Sequence, residues 1–332
     1  MLKIGLCGAG FMGTMHAACY ANIPGVKVVA VADVRKDFAE KVAADHGAER
    51  YARASDLIAK ADVDAVDICL PTYLHADHVV QAAARGLDCM CEKPLALNTA
   101  EADRIVKAVR KAKIKFMVGH VIRFWPEYVV LKETIEKKKL GALKMLFLTR
   151  FGGRPAGWQN WFHKQDLCGG GALDMHIHDS DYVLYLLGMP KTLDASGAFI
   201  KGGLDRVTVN YHYPGVAVTA AGGWWPGGEP FEMAFRAVFD KGVLTYSSNS
   251  SPLTLHTPGK DPQPVNVPQP KTSKVEAGGN ISSLGGYFNE VNYFVECLKR
   301  NEQPEIVTPE TARDAVKLVE REIASAKKNQ SL

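Results

Sequence analysis

The chain has 332 residues, 47% of them hydrophobic, with 40 Lys plus Arg against 36 Asp plus Glu for a formal charge of +4. At roughly 150 residues per domain this is about two domains, each able to bury a core. A charged fraction of 23% in near balance excludes a disordered chain, and no basic stripe marks a nucleic-acid partner; the run Glu136–Lys139 reads as a solvated helix end.

No stretch approaches the roughly 20 apolar residues that span a bilayer, so no membrane partner is expected. Glycines at 5, 8 and 10 break the apolar run a signal peptide needs, and the N-terminus reads as mature structure. Seven scattered cysteines without a CxxC pair argue against a disulfide framework or a zinc ribbon, so the expected location is cytoplasmic.

Over residues 1–120 short apolar runs alternate with helical patterns, the grammar of parallel strands joined by crossover helices. Strands are predicted at Leu2–Cys7, Val26–Ala32, Ala65–Leu70, Asp88–Cys91 and Lys115–Val118. Helices are predicted at Phe38–His46, stopping at Gly47, at Ala76–Arg85, stopping at Gly86, and at Ala100–Lys111, starting after Asn98 and Thr99. This is a doubly wound sheet, a Rossmann-type α/β domain.

Residues 121–332 read as a second, α+β domain. A helix at Pro126–Lys139 ends at Gly141, followed by strands at Leu143–Phe151, Val207–Tyr213, Val216–Ala221, Met233–Phe239 and Val243–Tyr246. Pro214-Gly215 and Asp240-Lys241-Gly242 sit where hairpin turns belong, so this sheet is expected to be mostly antiparallel. Residues 251–280, rich in Pro, Gly, Ser and Thr, read as a long surface loop, and helices at Tyr287–Arg300 and Pro309–Lys327 close the chain.

The first chemical motif is Gly8-Ala9-Gly10-Phe11-Met12-Gly13, a GxGxxG directly after a strand, with Asp33 20 residues past Gly13 at the end of the next strand. Glycines permit the tight turn and close approach of a pyrophosphate to helix N-terminal amides, and Asp33 can accept hydrogen bonds from both hydroxyls of an adenosine ribose. The alternative is a glycine turn that only packs helix on strand. Gly8, Gly10, Phe11, Met12 and Gly13, with Asp33, Val34 and Arg35, are the candidate dinucleotide contacts. Asp33 repels a 2′-phosphate while Arg35 and Lys36 attract one; the balance favours NAD, with NADP as the alternative.

The second motif is Glu92-Lys93-Pro94 at a strand's carboxyl end, where ligands of open α/β sheets bind. Lys93 there can hydrogen-bond a substrate hydroxyl and ease its deprotonation; the plain alternative is a solvated lysine before a helix.

The third is Gly169–His178. Three glycines lead into a helical pattern ending at Gly188, with Asp174, His178, Asp181 and Tyr185 on one face and Val183, Leu184, Leu186 and Leu187 on the other. His176 lies about 200° around the helix from Asp174, so Asp174, His176 and His178 make a poor zinc set and no metal is expected. A structural Asp–His pair and a general base remain, and a cofactor beside Lys93 favours the base.

Together these motifs resemble the Gfo/Idh/MocA oxidoreductases, which include glucose–fructose oxidoreductase and inositol dehydrogenases. The resemblance runs over nearly the whole chain: GAGFMG followed by His16, Pro71-Thr72-x-x-His75, Glu92-Lys93-Pro94, Gly170-Gly171 leading to Asp174-x-x-x-His178, Trp225-Pro226-Gly227-Gly228 with Pro230-Phe231, and Tyr287-x-x-Glu290. It implies a catalytic centre of Lys93, Asp174 and His178, cofactor contacts at Pro71, Thr72, His75, Glu92 and Lys93, and hydride transfer from a carbinol carbon of a sugar, inositol or related polyol. For His75 a capping or packing role is the alternative to one beside the nicotinamide ribose.

Arg123 matches one of two arginines of inositol dehydrogenases, and Ile122 stands where the other belongs, which weakens inositol specificity. Asn160 and Trp161, with Trp158 and His163, precede the glycine run in the segment that reaches over the site in relatives, and aromatic faces suit a sugar ring. Lys93, Arg123, Asn160, Trp161, Asp174 and His178 are therefore the candidate substrate contacts.

Some relatives use the same oxidation transiently to cleave glycosides by elimination, and others have become dinucleotide sensors that lack the catalytic trio. An antiparallel sheet needs cover on both faces, so a homodimer or homotetramer through the C-terminal sheet is expected.

Overall fold

The computed structural model describes residues 1–227, 230–270 and 284–330. It divides into two compact units, Met1–Phe124 with Pro270–Arg313, and Trp125–Gln269 with Asp314–Leu332.

The first unit carries β1 (Leu2–Cys7), α1 (Phe11–Ala21), β2 (Val26–Ala32), α2 (Lys36–His46), β3 (Glu49–Tyr51), α3 (Ala54–Lys60), β4 (Ala65–Ile68), α4 (His75–Arg85), β5 (Asp88–Glu92), α5 (Thr99–Ala112) and β6 (Phe116–Gly119). Its six strands run in the order β3-β2-β1-β4-β5-β6, and every pairing is parallel. The order reverses between β1 and β4, which places the crossovers before and after that point on opposite faces. Both faces are therefore covered, and β4 reads Ala-Val-Asp-Ile with all four residues buried. The one charge in that run, Asp67, is 0% exposed and needs partners.

The helix ends obey the local rules. Gly47 and Gly86 close α2 and α4 in the left-handed conformation, and Asn98 caps α5 by accepting from the Glu101 amide at 2.9 Å. Two elements were absent from the sequence reading, β3 and α3. Both are short and polar, three and seven residues, and draw their stability from neighbours rather than from a pattern of their own.

The second unit begins with α6 (Pro126–Glu136) and β7 (Leu143–Gly153), continues through α7 (Gln165–Cys168) and α8 (Ile177–Leu187), and then builds β8 (Thr192–Ile200), β9 (Gly203–Tyr213), β10 (Val216–Trp225), β11 (Glu232–Phe239), β12 (Gly242–Ser247), β13 (Ser251–His256) and β14 (Gln263–Pro264). Helices α9 (Gly285–Arg300) and α10 (Pro309–Gln330) complete the described chain, α9 packing on α1 in the first unit. The eight strands run β14-β13-β12-β11-β7-β10-β9-β8. The sheet is antiparallel as expected except where β10 lies parallel to β7, because a helical crossover and the β8–β9 hairpin separate the two in sequence.

Three expectations need correction here. Helix α6 stops at Glu136, since Lys138 turns to φ 48° and the chain reverses before Gly141. Strand β8 was missed because its centre, Ala195-Ser196-Gly197-Ala198, lacks the branched and aromatic residues that mark strands. The expected loop of residues 251–280 carries strands β13 and β14 at the sheet edge, joined by a turn over residues 257–262; Pro252 and Pro264 are tolerated at such an edge. Residues 271–280 of that expected loop lie outside the described residues.

One face of β9 is buried at every second position, Leu204 apart, through Asp205, Val207, Val209 and Tyr211, and it packs against the helical segment that begins at Ala172. Among the described residues no helix is long and apolar enough to cross a membrane.

Candidate functional site

The glycine turn joins β1 to α1 as its spacing requires. A Cβ on Gly13 would stand 1.9 Å from the Gly8 carbonyl oxygen, so only glycine lets α1 start this close to the strand. The cradle thus suits the close approach of a dinucleotide pyrophosphate. Phe11 is 50% exposed and Val34 59%, and Met12 is half-buried, at the carboxyl edge of the sheet.

Asp33 follows β2, and its carboxylate accepts from the Ala9 amide at 2.9 Å and the Arg35 amide at 2.8 Å. The Arg35 guanidinium forks onto it at 3.0 and 2.8 Å and lies 3.8 Å over the Phe38 ring. Burial works against the charge of Asp33, but these donors outweigh it and hold the carboxyl below its usual range. A Cβ on Gly10 would come within 3.3 Å of the same guanidinium. Arg35 therefore lies across the edge where the sequence places the adenosine ribose.

At the carboxyl end of β5 the Glu92 side chain accepts from the Lys93 amide at 3.1 Å, and Lys93 is half-buried. Pro71 is half-buried and Thr72 buried at the end of the β4 loop. His75 is 1% exposed, with Nδ1 2.8 Å from the Pro94 carbonyl and Nε2 2.7 Å from that of Leu70. Burial pulls this ring toward neutrality while the two carbonyls oppose it. Its place is that of a brace under the Lys93–Pro94 turn. Arg123 is 4% exposed and donates to the Ile306 carbonyl at 2.5 Å, tying its short helix to the segment before α10.

In the second unit a π-turn spans Ala172–His176 and runs directly into α8. Asp174 lies in this turn and His178 at the start of α8, a four-residue spacing that keeps the two near one helix face. A Cβ on Gly171 would sit 2.3 Å from the Asp205 carbonyl oxygen, so the glycine run lets this turn press onto β9 and β10. Asp174 is 8% exposed and His178 half-buried. His176 does diverge, toward Tyr211 Oη at 3.4 Å and Glu322 Oε2 at 3.5 Å.

The expected polar stripe is not a wet face. Of the stripe, Asp181 is 0% exposed, as are its neighbours Asp179 and Ser180, and Tyr185 carries the Lys132 ammonium 4.1 Å over its ring. Asn160 is exposed at φ 55°, Trp161 stacks on Phe162 at 3.8 Å, and Phe162 meets Trp224 edge-on at 5.9 Å. Trp225 stacks on Phe151 at 4.4 Å, and Gly228 lies outside the described residues.

Three buried groupings escaped the sequence reading. Asp179 takes a bidentate pair from Arg150, 3.1 Å at both contacts. Glu322 accepts from Tyr211 Oη at 2.7 Å and Ser180 Oγ at 3.1 Å, and burial pushes its carboxyl up to about 7. Around His16 gather Asp67, Glu92, Tyr20 and Cys69. The signal available was a charged residue inside an otherwise apolar run, as with Asp67 and Arg150; Glu322, next to Glu320 and Arg321, carried no such signal.

The ligand atoms of His16, Asp67 and Cys69 lie within 4.8 Å of one another. His16 Nδ1 and Asp67 Oδ2 are 2.8 Å apart, a shared-proton distance, whereas neighbouring ligands of a tetrahedral zinc stand roughly 3.3 Å apart.

A family model described as the NAD-binding Rossmann fold of an oxidoreductase family, GFO_IDH_MocA, matches residues 2–120, and the GFO/IDH/MocA C-terminal domain matches residues 128–245. Inositol 2-dehydrogenase of Rhizobium meliloti (strain 1021) is 35% identical over 201 residues, 60% of this chain and 59% of that protein. Myo-inositol 2-dehydrogenase of Thermotoga maritima is 33% identical over 188 residues, 56% of this chain and 55% of that protein. The matches thus span a little over half the length of these curated relatives. A crystal structure of a probable dehydrogenase from Thermotoga maritima superposes with a TM-score of 0.81 at 25% identity, covering 99% of this chain and 97% of that one.

Proposed function

The chain belongs to the GFO/IDH/MocA oxidoreductase family, and on that premise we propose that it is an NAD-dependent dehydrogenase oxidising a secondary hydroxyl of an inositol, sugar or related polyol. The observation that supports the reading is that buried Asp174 and half-buried His178 stand four residues apart where the π-turn runs into α8, inside the matched C-terminal domain. When bound, NAD supplies the hydride acceptor. His178 takes the hydroxyl proton, Lys93 stabilises the developing alkoxide, and Asp174 orients His178 or the substrate. The carbinol carbon loses its hydride and the hydroxyl its proton, leaving a ketone.

General base catalysis of this kind is worth about 10²–10⁴ in rate. His178→Ala and Lys93→Ala should each lose turnover on that scale while retaining dinucleotide binding, measured by steady-state kinetics and NADH fluorescence; near wild-type turnover in both ends the assignment. A panel of inositols, sugars and glycosides with NAD and NADP identifies the substrate. Net NADH formation supports the dehydrogenase, and glycoside cleavage without it supports redox-assisted elimination. Met145 and Phe147, each 37% exposed on β7, favour a homo-oligomer through the outer face of the large sheet, to be checked by light scattering.

A further inference from the structure

The cluster around His16 is fully inside the first unit. His16 stands on α1, three residues past Gly13, and is 0% exposed. Its Nδ1 is 2.8 Å from Asp67 Oδ2 on β4, and its Nε2 is 3.1 Å from Glu92 Oε1 on β5. The second contact is an ion-pair contact rather than a hydrogen bond. Tyr20, one turn further along α1, donates to the same Asp67 oxygen at 2.9 Å. Cys69 Sγ closes the group, 3.4 Å from Asp67 Oδ1 and 3.5 Å from His16 Nδ1.

Each ring nitrogen of His16 faces a carboxylate. A neutral imidazole would turn one lone pair against one of them, so the geometry calls for two N–H groups and a positive ring. Burial opposes that charge, but Cys69 and Asp67 reverse its effect and raise the ring well above its ordinary value.

Glu92 is the link to chemistry. One oxygen meets His16 and the other accepts the Lys93 amide at 3.1 Å. Gly119 pairs with Glu92 across β5 and β6, and a Cβ there would be 3.0 Å from Glu92 Oε1, so the carboxylate fills the space that glycine leaves. On the other side of Lys93, His75 holds the Pro94 carbonyl at 2.8 Å.

We infer that His16 is a positioning residue for Lys93: bridging Asp67 and Glu92, it fixes the carboxylate that holds the Lys93 backbone at the carboxyl end of β5. The inference rests on Lys93 acting as the Proposed function assigns. It gives the helix of the dinucleotide motif a second task, since the residue one turn past the glycines also sets the catalytic lysine.

The test compares His16→Leu, His16→Gln, Lys93→Ala and the double variant His16→Leu/Lys93→Ala, each as the full chain with the substrate found in the panel. A misplacement of this kind costs about 10²-fold in rate. The expected result is a loss of that order in kcat for His16→Leu with the Kd for NAD within about threefold, partial rescue by His16→Gln, whose amide still reaches Glu92, and a double variant no slower than Lys93→Ala. Unchanged kcat in folded His16→Leu, or losses that multiply in the double variant, would overturn the inference while leaving the lysine's role intact. Wild-type turnover in Lys93→Ala overturns both. Should His16→Leu fail to fold, nitrogen NMR of the His16 ring in the wild-type protein and Glu92→Gln kinetics decide instead. A ring protonated on both nitrogens at neutral pH, with a kcat loss in Glu92→Gln, supports the bridge; a neutral ring or unchanged kcat removes it.

Discussion

Two fully buried histidines are shifted in opposite directions in the two units. The His16 ring is raised well above its ordinary value by Cys69 and Asp67 against its burial, and His176 is pushed down to about 3 by burial and by the charge of Arg150. Exposure is 0% for both rings, so burial does not distinguish them. What differs is the count of neighbouring charges. His16 lies against the carboxylates of Asp67 and Glu92, which favour a positive charge on its ring. Around His176 the charges of Arg150 and Asp179 already pair, and Glu322 holds its proton up to about pH 7. A neutral imidazole beside a neutral carboxyl then costs least.

The strongest way to break this comparison is Arg150→Met. It strands Asp179, 0% exposed, without its bidentate partner, and should cost about 3–5 kcal/mol in urea unfolding. The same change should raise the His176 pKa by removing the nearby positive charge; a loss well under 1 kcal/mol would mean that Arg150 does not organise the cluster.

A smaller effect lies in the pH dependence of the second unit. Glu322 is raised from 4.5 to about 7, so the stability it contributes is full below pH 4.5 and is lost as pH rises through 7. His176 is depressed from 6.5 to about 3, so its contribution is present above pH 6.5 and lost as pH falls through 3. The two oppose each other between pH 4.5 and 6.5. Glu322→Gln should leave only the rise due to His176, so that the urea midpoint climbs more steeply with pH in the variant than in the wild type. Parallel profiles would show that Glu322 does not carry the proton.

The smallest effect on stability is expected from Arg35→Ala. Its pair with Asp33 is partly exposed, 25% and 6%, and removal should change unfolding by under ~1 kcal/mol. Cofactor choice should move instead. With the guanidinium gone from Asp33 and only the two backbone amides left on its carboxylate, the ratio of kcat/KM for NAD over NADP should rise about tenfold; a fall would mean that Arg35 works for NAD rather than for a 2′-phosphate.

Much of the first unit could be read from residue order, because its strands are buried on both faces and its helices end at Gly47 and Gly86. The weak points were β3, α3 and β8, whose residues carry little preference of their own and form only because a neighbouring strand or helix offers partners. At the helix from Ala172 to Leu187, a four-residue spacing put Asp174 and His178 on one face, but nothing in that spacing shows that Asp181 further along the same face is fully buried. Asp179 and Ser180 can stay polar inside because Arg150, Tyr211 and Glu322 reach them from elsewhere in the chain.

By itself the sequence determined the doubly wound sheet, the glycine turn, the residues that carry the family resemblance and the mostly antiparallel second sheet. Periodicity, turn residues and motif spacing are local, and local order suffices for them. Only the tertiary structure decided which buried groups are charged. The partners of His16 come from positions 67 and 92, and those of His176 from positions 211 and 322. A protonation state depends on distances between such groups, and those distances exist only once the chain has folded.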